Sequence, residues 1–281
     1  MVSINRLSTE KRAQVVGCLT EGMSIRSTVR ITGAAKNTIT KLLVDLGEAC
    51  SAYQHDTLVD LPCKTIECDE IWNFVYAKDK NIPVAKQGEA GVGSVWTWTA
   101  ICADTKLIPT WFVGQRTAED GFLFMMDLRT RLKYRPQITT DGLAAYAAAI
   151  GFSFGAQVDW AVLQKTYAAD ETAERRYSPA ICTGIDIKVR TGDPDPARIS
   201  TSYVERQNLT MRMNMRRYTR LTNAFSKKAE NLAHAVSLHY LVYNFARPHM
   251  SLKNPYPCTP AMAAGVADHV WTLKEVAALL D

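Results

Sequence analysis

The stretch TIECDEIWNFVYA (65–77) sets three carboxylates, Glu67, Asp69 and Glu70, inside a run of β-branched and aromatic residues that reads as a β-strand. A strand of this composition buries at least one face, and a buried carboxylate is costly unless it is paired or holds a metal ion. Alternation puts Glu67 and Asp69 on one face and Glu70 on the other. That leaves Glu70 for a structural or exposed role and Asp69 in need of a partner.

The chain around this strand reads as a mixed α/β sheet. A loop at 78–93 leads into two further strands, SVWTWTAICADT and LIPTWFVGQRT, joined at Asp104–Thr105 as antiparallel neighbours. Residues 118–133 form an amphipathic helix, PQITTDG gives a short strand ending at Asp141, a helix follows, and QVDWAVL is a fifth strand. Three meandering strands, a helix, a strand, a helix and a strand fit a sheet of ribonuclease-H type with flanking helices. The polar stretch near 166–201, which includes a possible strand at IDIKVR, reads as an insertion. A helix over 229–246 stops before Pro248, and a looser tail over 251–281 ends in a short helix.

Residues 1–50 read as a separate all-α unit. A helix near 9–21 stops at Gly22, Ser24 caps a short second helix, and Thr32-Gly33 turns the chain into a third, with Ile39, Leu42, Leu43 and Leu46 as its apolar stripe. Short helix, glycine turn and helix match the helix-turn-helix pattern, and Lys36, Asn37, Thr38 and Lys41 suit base edges and phosphates. A three-helix bundle used for protein contact is the plainer alternative. Residues 51–64 read as a linker to the catalytic region, 65–250.

Asp141, at a strand end, and Glu205, at a helix start, join Asp69 as candidates. Each has a plainer reading: Asp141 in an ordinary turn, and Glu205 closing an S-x-x-E capping box with Ser202. Glu205 stands ahead of an acid-free run, 206–228, that holds seven basic residues. On a helical wheel Val204, Met211, Met215 and Tyr218 make an apolar stripe, and Glu205, Asn208, Arg212 and Arg216 a polar rim. Carboxylates with guanidinium groups beside them suit phosphodiester chemistry. Oxygen-only ligands select hard cations such as Mg²⁺ or Mn²⁺, and two such ions about 4 Å apart serve both attacking and leaving oxygens.

The net charge of +5 does not by itself establish a nucleic-acid partner. Seven scattered cysteines without a CxxC pair argue against a disulfide framework and a closed zinc site. No apolar run is long enough to span a membrane and the first residues lack a signal-peptide core, so a reducing, cytoplasmic setting is expected. His234 and His239 lie too far around one helix to share a metal, His249 fits a helix stop, and Trp72, Trp96, Trp98 and Trp111 read as core. Lys78, Lys80 and Lys86 suit either phosphate or solvent.

The blocks ECDEIWNFV, TTDGLAAY and YVERQNLTMRMNMRRYTRLTNAFSKKAENLAHAVSLHYLVYNFARPH together resemble the catalytic blocks of DDE transposases of bacterial insertion sequences, in particular the insertion-sequence-one family. The resemblance covers most of 24–265, and its third block is the most specific. It implies that Asp69, Asp141 and Glu205 form a metal-binding triad for Mg²⁺ or Mn²⁺, with two ions. It implies that Arg206, Asn208 and Arg212 grip DNA, with Arg216 and Arg217 in the same basic run. It further implies recognition of terminal inverted repeats through 1–50, strand transfer into target DNA, a homodimer or larger assembly, and a place at the nucleoid. The interval from Asp141 to Glu205 exceeds that of compact members, in keeping with the insertion. A helix-turn-helix regulator without chemistry and a nuclease that cuts without joining are the alternative readings.

Overall fold

The computed structural model describes residues 6–168, 181–219, 222–252 and 256–281. Six strands make one mixed sheet: β1 (Thr65–Val75), β2 (Gly93–Cys102), β3 (Trp111–Gly114), β4 (Gln137–Thr140), β5 (Asp159–Tyr167) and β6 (Cys182–Thr191), in the order β3-β2-β1-β4-β5-β6. β1, β2 and β3 run as an antiparallel meander, β4 and β5 add in parallel on the other side of β1, and β6 returns antiparallel along β5. With helices packed on it, this sheet is compatible with the expected ribonuclease-H type. The third strand is shorter than its sequence suggested, because Pro109 has no amide hydrogen to give a ladder.

β1 is central, so both its faces are covered. On one face Trp98 of β2 is fully buried against Phe124 of α4 (Ala118–Arg131) and Tyr146 of α5 (Ala145–Phe154). On the other, Thr97 bonds the Tyr218 hydroxyl at 2.5 Å and Thr99 bonds that of Tyr240 at 2.8 Å. Tyr240 belongs to α7 (Ala229–Leu241), which continues as a π-helical turn, Val242–Ala246. α6 (Ser202–Asn214) shares that face, with Val204 and Met211 turned inward. Emptying the Trp98 site would cost about 3–5 kcal/mol.

The N-terminal helices are α1 (Thr9–Thr20), α2 (Ile25–Thr32) and α3 (Lys36–Thr57). The Ser24 hydroxyl accepts from the Ser27 amide at 3.0 Å to start α2, and Gly33, at φ 71°, ends it in the left-handed conformation that glycine adopts freely. Two expected boundaries shift. α3 runs on to Thr57, through half of the expected 51–64 linker, and Leu58, Leu61 and Cys63 are buried in the rest. These apolar side chains hold the connection on the body, where the Leu61 amide donates to Arg131.

The described N-terminal helices also pack against the body. Gly47 of α3 lies so close to α7 that a Cβ there would stand 2.4 Å from that of His234. The C-terminal residues pack rather than trail. α8 (Pro260–Ala263) and α9 (Leu273–Ala278) fold back, Trp271 stacks beside Tyr53 and Phe245, and Arg12 of α1 donates to the Ala277 carbonyl at 2.8 Å. The expected insertion near 166–201 supplies the end of β5, all of β6 and the approach to α6, and its residues 169–180 lie outside those described.

Candidate active site

The parallel register of β1 on β4 pairs Glu67 with Thr139, and Asp141 follows directly after the end of β4, beside β1. One carboxylate oxygen from each of Asp69, Glu70 and Asp141 lies within 4.8 Å of the other two. A Cβ at Gly142, beside this cluster, would stand 1.9 Å from the side-chain nitrogen of Gln164, an exposed side chain that can swing aside. The Asp141 carboxylate also accepts from the Leu143 amide at 2.9 Å, which fixes the turn after β4.

Of the structural and exposed roles expected for Glu70, the exposed one is excluded. Glu70 faces α5 on the side of the sheet opposite Asp69, its side chain has no solvent exposure, and its Oε1 has no hydrogen-bond partner. Burial, reinforced by the charges of Asp141 and Asp69, pushes its carboxyl up to about 8 against the opposing help of Tyr146 and Arg116. Burial likewise raises Asp69 to about 6, with Asp141 and Glu205 adding like charge and the Glu70 amide and Arg116 opposing. Arg116, just before α4, ties the cluster together. Its Nε donates to Glu70 at 3.1 Å, its Nη2 to Asp141 at 3.4 Å, and its guanidinium lies 4.8 Å from the centre of the Trp96 ring.

α6 faces Asp69 from the other side. The Asn208 amide donates to Asp69 Oδ2 at 2.7 Å, while Asn208 Oδ1 is buried without a partner. Glu205 lies close enough to raise Asp69 by its charge, yet its carboxylate is not part of the three-residue cluster. It accepts from Lys165 of β5 at 2.5 Å and from the Thr201 hydroxyl at 2.7 Å. A fourth carboxylate beside three others is repelled, and Lys165 offers a cation. The capping box is absent as well. Thr201, not Ser202, is the N-cap, and the Glu67 carboxylate accepts from the Tyr203 and Val204 amides at 2.8 and 3.0 Å. Glu67 thus joins the central strand to the positive end of α6.

The basic residues separate into groups. Arg206 and Arg216 are exposed and Arg212 half-buried. α6 ends at Asn214, so Arg216 is not on the helical rim, although Met215 and Tyr218 stay buried through the following turn. Arg217 turns inward: it donates to Ser226 at 3.2 Å, and loss of hydration lowers its guanidinium to about 10. At the start of α3, Lys36, Asn37 and Lys41 are exposed and Thr38 is half-buried, and Lys41 pairs with Asp45 at 2.6 Å. Trp98 is core as expected, whereas Trp72 and Trp96 are half-exposed beyond Glu70, with Lys78 and Arg116 over their rings.

Glu70, Arg116, Lys165 and Glu67 are the site residues the sequence reading passed over. Glu70 carried a signal: an acid in a central strand is buried whichever face it takes. Arg116 and Lys165 carried none. The donors around the cluster are all oxygen, and the raised carboxyls and unpartnered Glu70 Oε1 express negative charge that a hard divalent cation would relieve, so the residues fit such an ion.

No protein-family model matches the chain, and no curated protein matches it. Among solved structures, it is similar to one described as the crystal structure of the Mos1 strand transfer complex, at 11% identity and a TM-score of 0.25, over 86% of this chain and 77% of that one. Agreement at that level carries no argument about chemistry.

Proposed function

We propose that the protein is a DDE-type transposase of a bacterial insertion sequence, related to the insertion-sequence-one family. In this reading it binds the terminal inverted repeats and carries out metal-dependent cleavage and strand transfer into target DNA. One observation carries it: Asp141, just past the end of β4, brings its carboxylate within 4.8 Å of that of Asp69 on β1, under a helix that holds Asp69 through Asn208 and brings the charge of Glu205 to bear on it. Asp69, Asp141 and Glu205 would hold Mg²⁺ or Mn²⁺, in all two ions, with Glu70 beside them. When bound, the ions supply Lewis-acid activation of water or a 3′-hydroxyl and stabilisation of the leaving oxygen.

The chain's own side chains support that chemistry. Arg206 and Arg212 offer cations to the strand, and Arg116, stacked on Trp96 and anchored on buried Glu70, fixes a guanidinium at the cluster. Glu205 reaches the cluster by releasing Lys165. α2, the Gly33 turn and α3 serve as the helix-turn-helix, with Lys36, Asn37, Thr38 and Lys41 toward DNA, and the assembly is a dimer or larger at the nucleoid.

The test is incubation of the purified chain with terminal inverted-repeat DNA, target DNA and Mg²⁺. Joined products are expected from the native protein and none from Asp69→Asn, Asp141→Asn or Glu205→Gln. Full strand transfer in any of these variants rejects the triad. Cleaved but unjoined products would identify a nuclease instead. The Lys165–Glu205 pair favours a second reading, a DNA-binding regulator without chemistry, for which a metal-independent footprint and no nicking are expected.

A further inference from the structure

The two edges of the sheet are finished differently. β3 is a four-residue strand packed beside α4 and α7, a short and covered edge. β6 is a ten-residue strand whose residues are exposed almost throughout, and among the described residues no strand lies along its outer side. Ile185, Ile187 and Val189 alternate along it at 61%, 46% and 57% exposure. A long open edge with an apolar stripe invites another strand, and soluble proteins normally blunt or cover such edges.

The order of residues on β6 says what fits. On the face opposite the apolar stripe, Asp186 and Lys188 sit two apart, joined within the strand at 2.9 Å. Let a second β6 lie antiparallel with Ile187 opposite its own copy. Ile185 then faces Val189 of that copy, and Asp186 faces its Lys188, twice over by symmetry. The strand is complementary to itself in both charge and apolar pattern. A two-fold pairing also occupies both open edges at once, so growth stops at two.

We propose that β6 is a dimerisation edge, pairing antiparallel with β6 of a second copy of this chain about Ile187 to give one continuous twelve-stranded sheet (two sheets of six). This assigns a role to the inserted segment and does not depend on the catalytic reading, since none of these residues belongs to the acidic cluster.

Sedimentation of the full chain, with no DNA or metal added, tests it. A dimer is expected for the native protein and a monomer for Ile187→Lys. Asp186→Lys alone and Lys188→Asp alone each set like charges opposite one another twice, weakening the dimer on the order of tenfold. Mixing these two variants is the decisive step. The heterodimer regains both opposite-charge pairs and should form with near-native affinity, which a purely intrachain role for Asp186–Lys188 cannot produce. Ile187→Cys should oxidise to a reducible dimer across the two-fold axis. A monomeric native chain, a dimer indifferent to Ile187→Lys, or mixed variants that fail to associate each overturn the proposal. Circular dichroism of every variant separates lost pairing from lost folding.

Discussion

The side-chain amide of Asn208 donates to Oδ2 of Asp69 at 2.7 Å, so α6 is tied to the central strand at the residue on which the chemistry would turn. Glu205 sits one helical turn earlier on the same side of α6. Its carboxylate is held instead by Lys165 and Thr201.

Lys165 competes with a cation for Glu205. The pair is partly solvated, at 21% and 43% side-chain exposure, so its contribution is small. Lys165→Met should tighten Mn²⁺ binding by about two- to fivefold, the span of an exposed ion pair. Isothermal titration of both proteins decides it, and equal or weaker binding by the variant would show that Lys165 does not restrain the glutamate.

Glu70 should make stability depend on pH. Its folded carboxyl lies near 8, above its ordinary 4.5, so the folded state binds the proton more tightly than the unfolded state. Stability contributed by the protonated form is complete below about 4.5 and is lost as pH rises through about 8. With chelator present, thermal midpoints of the native protein should fall between pH 5 and 8.5, and those of Glu70→Gln should fall less. Parallel curves for the two proteins would refute the assignment.

Glu67 holds two backbone amides at the start of α6. Glu67→Ala leaves both unsatisfied and should cost about 1–3 kcal/mol, whereas Glu67→Gln keeps an acceptor and costs less. Urea denaturation gives the totals, and hydrogen exchange at Tyr203 and Val204 locates the effect. An alanine variant as stable as the native chain would mean that those amides find other acceptors.

Gly47→Ala should push α3 off α7, since neither the His234 backbone nor its Cβ can yield, and cost about 1–3 kcal/mol. The loss should appear as one cooperative transition, monitored by far-ultraviolet dichroism and tryptophan fluorescence together. Two separated transitions in the native protein would show that the N-terminal helices fold independently of the sheet.

Periodicity and composition made most of this fold legible. The strand at 65–77, the meander after it, the helix ahead of Asp141 and the glycine turn at Gly33 all follow from local pattern and cap chemistry. That the Asp141 carboxylate comes beside that of Asp69 is a tertiary fact, reached in sequence only through the resemblance of three blocks. Local rules failed where distant partners compete. The box that Ser202 and Glu205 offered as a plainer reading gave way to Glu67, more than a hundred positions earlier, and α3 outran its expected end because Tyr53, Leu58 and Leu61 had a body to pack on. Arg217 looked free in a basic run, yet the turn after Asn214 points it at Ser226. Lys165 and Arg116 became visible only when β5 and the loop before α4 were folded beside the carboxylates.

The contact at Gly47 leaves no slack between α3 and α7, and α7 lies directly beneath the sheet that carries the aspartates. Under the proposed function such a junction behaves as a ruler. A sequence gripped at Lys36 is held at a set reach from the point of scission, so lengthening the spacer between the two by half a helical turn of DNA should abolish cutting by a chain that still binds.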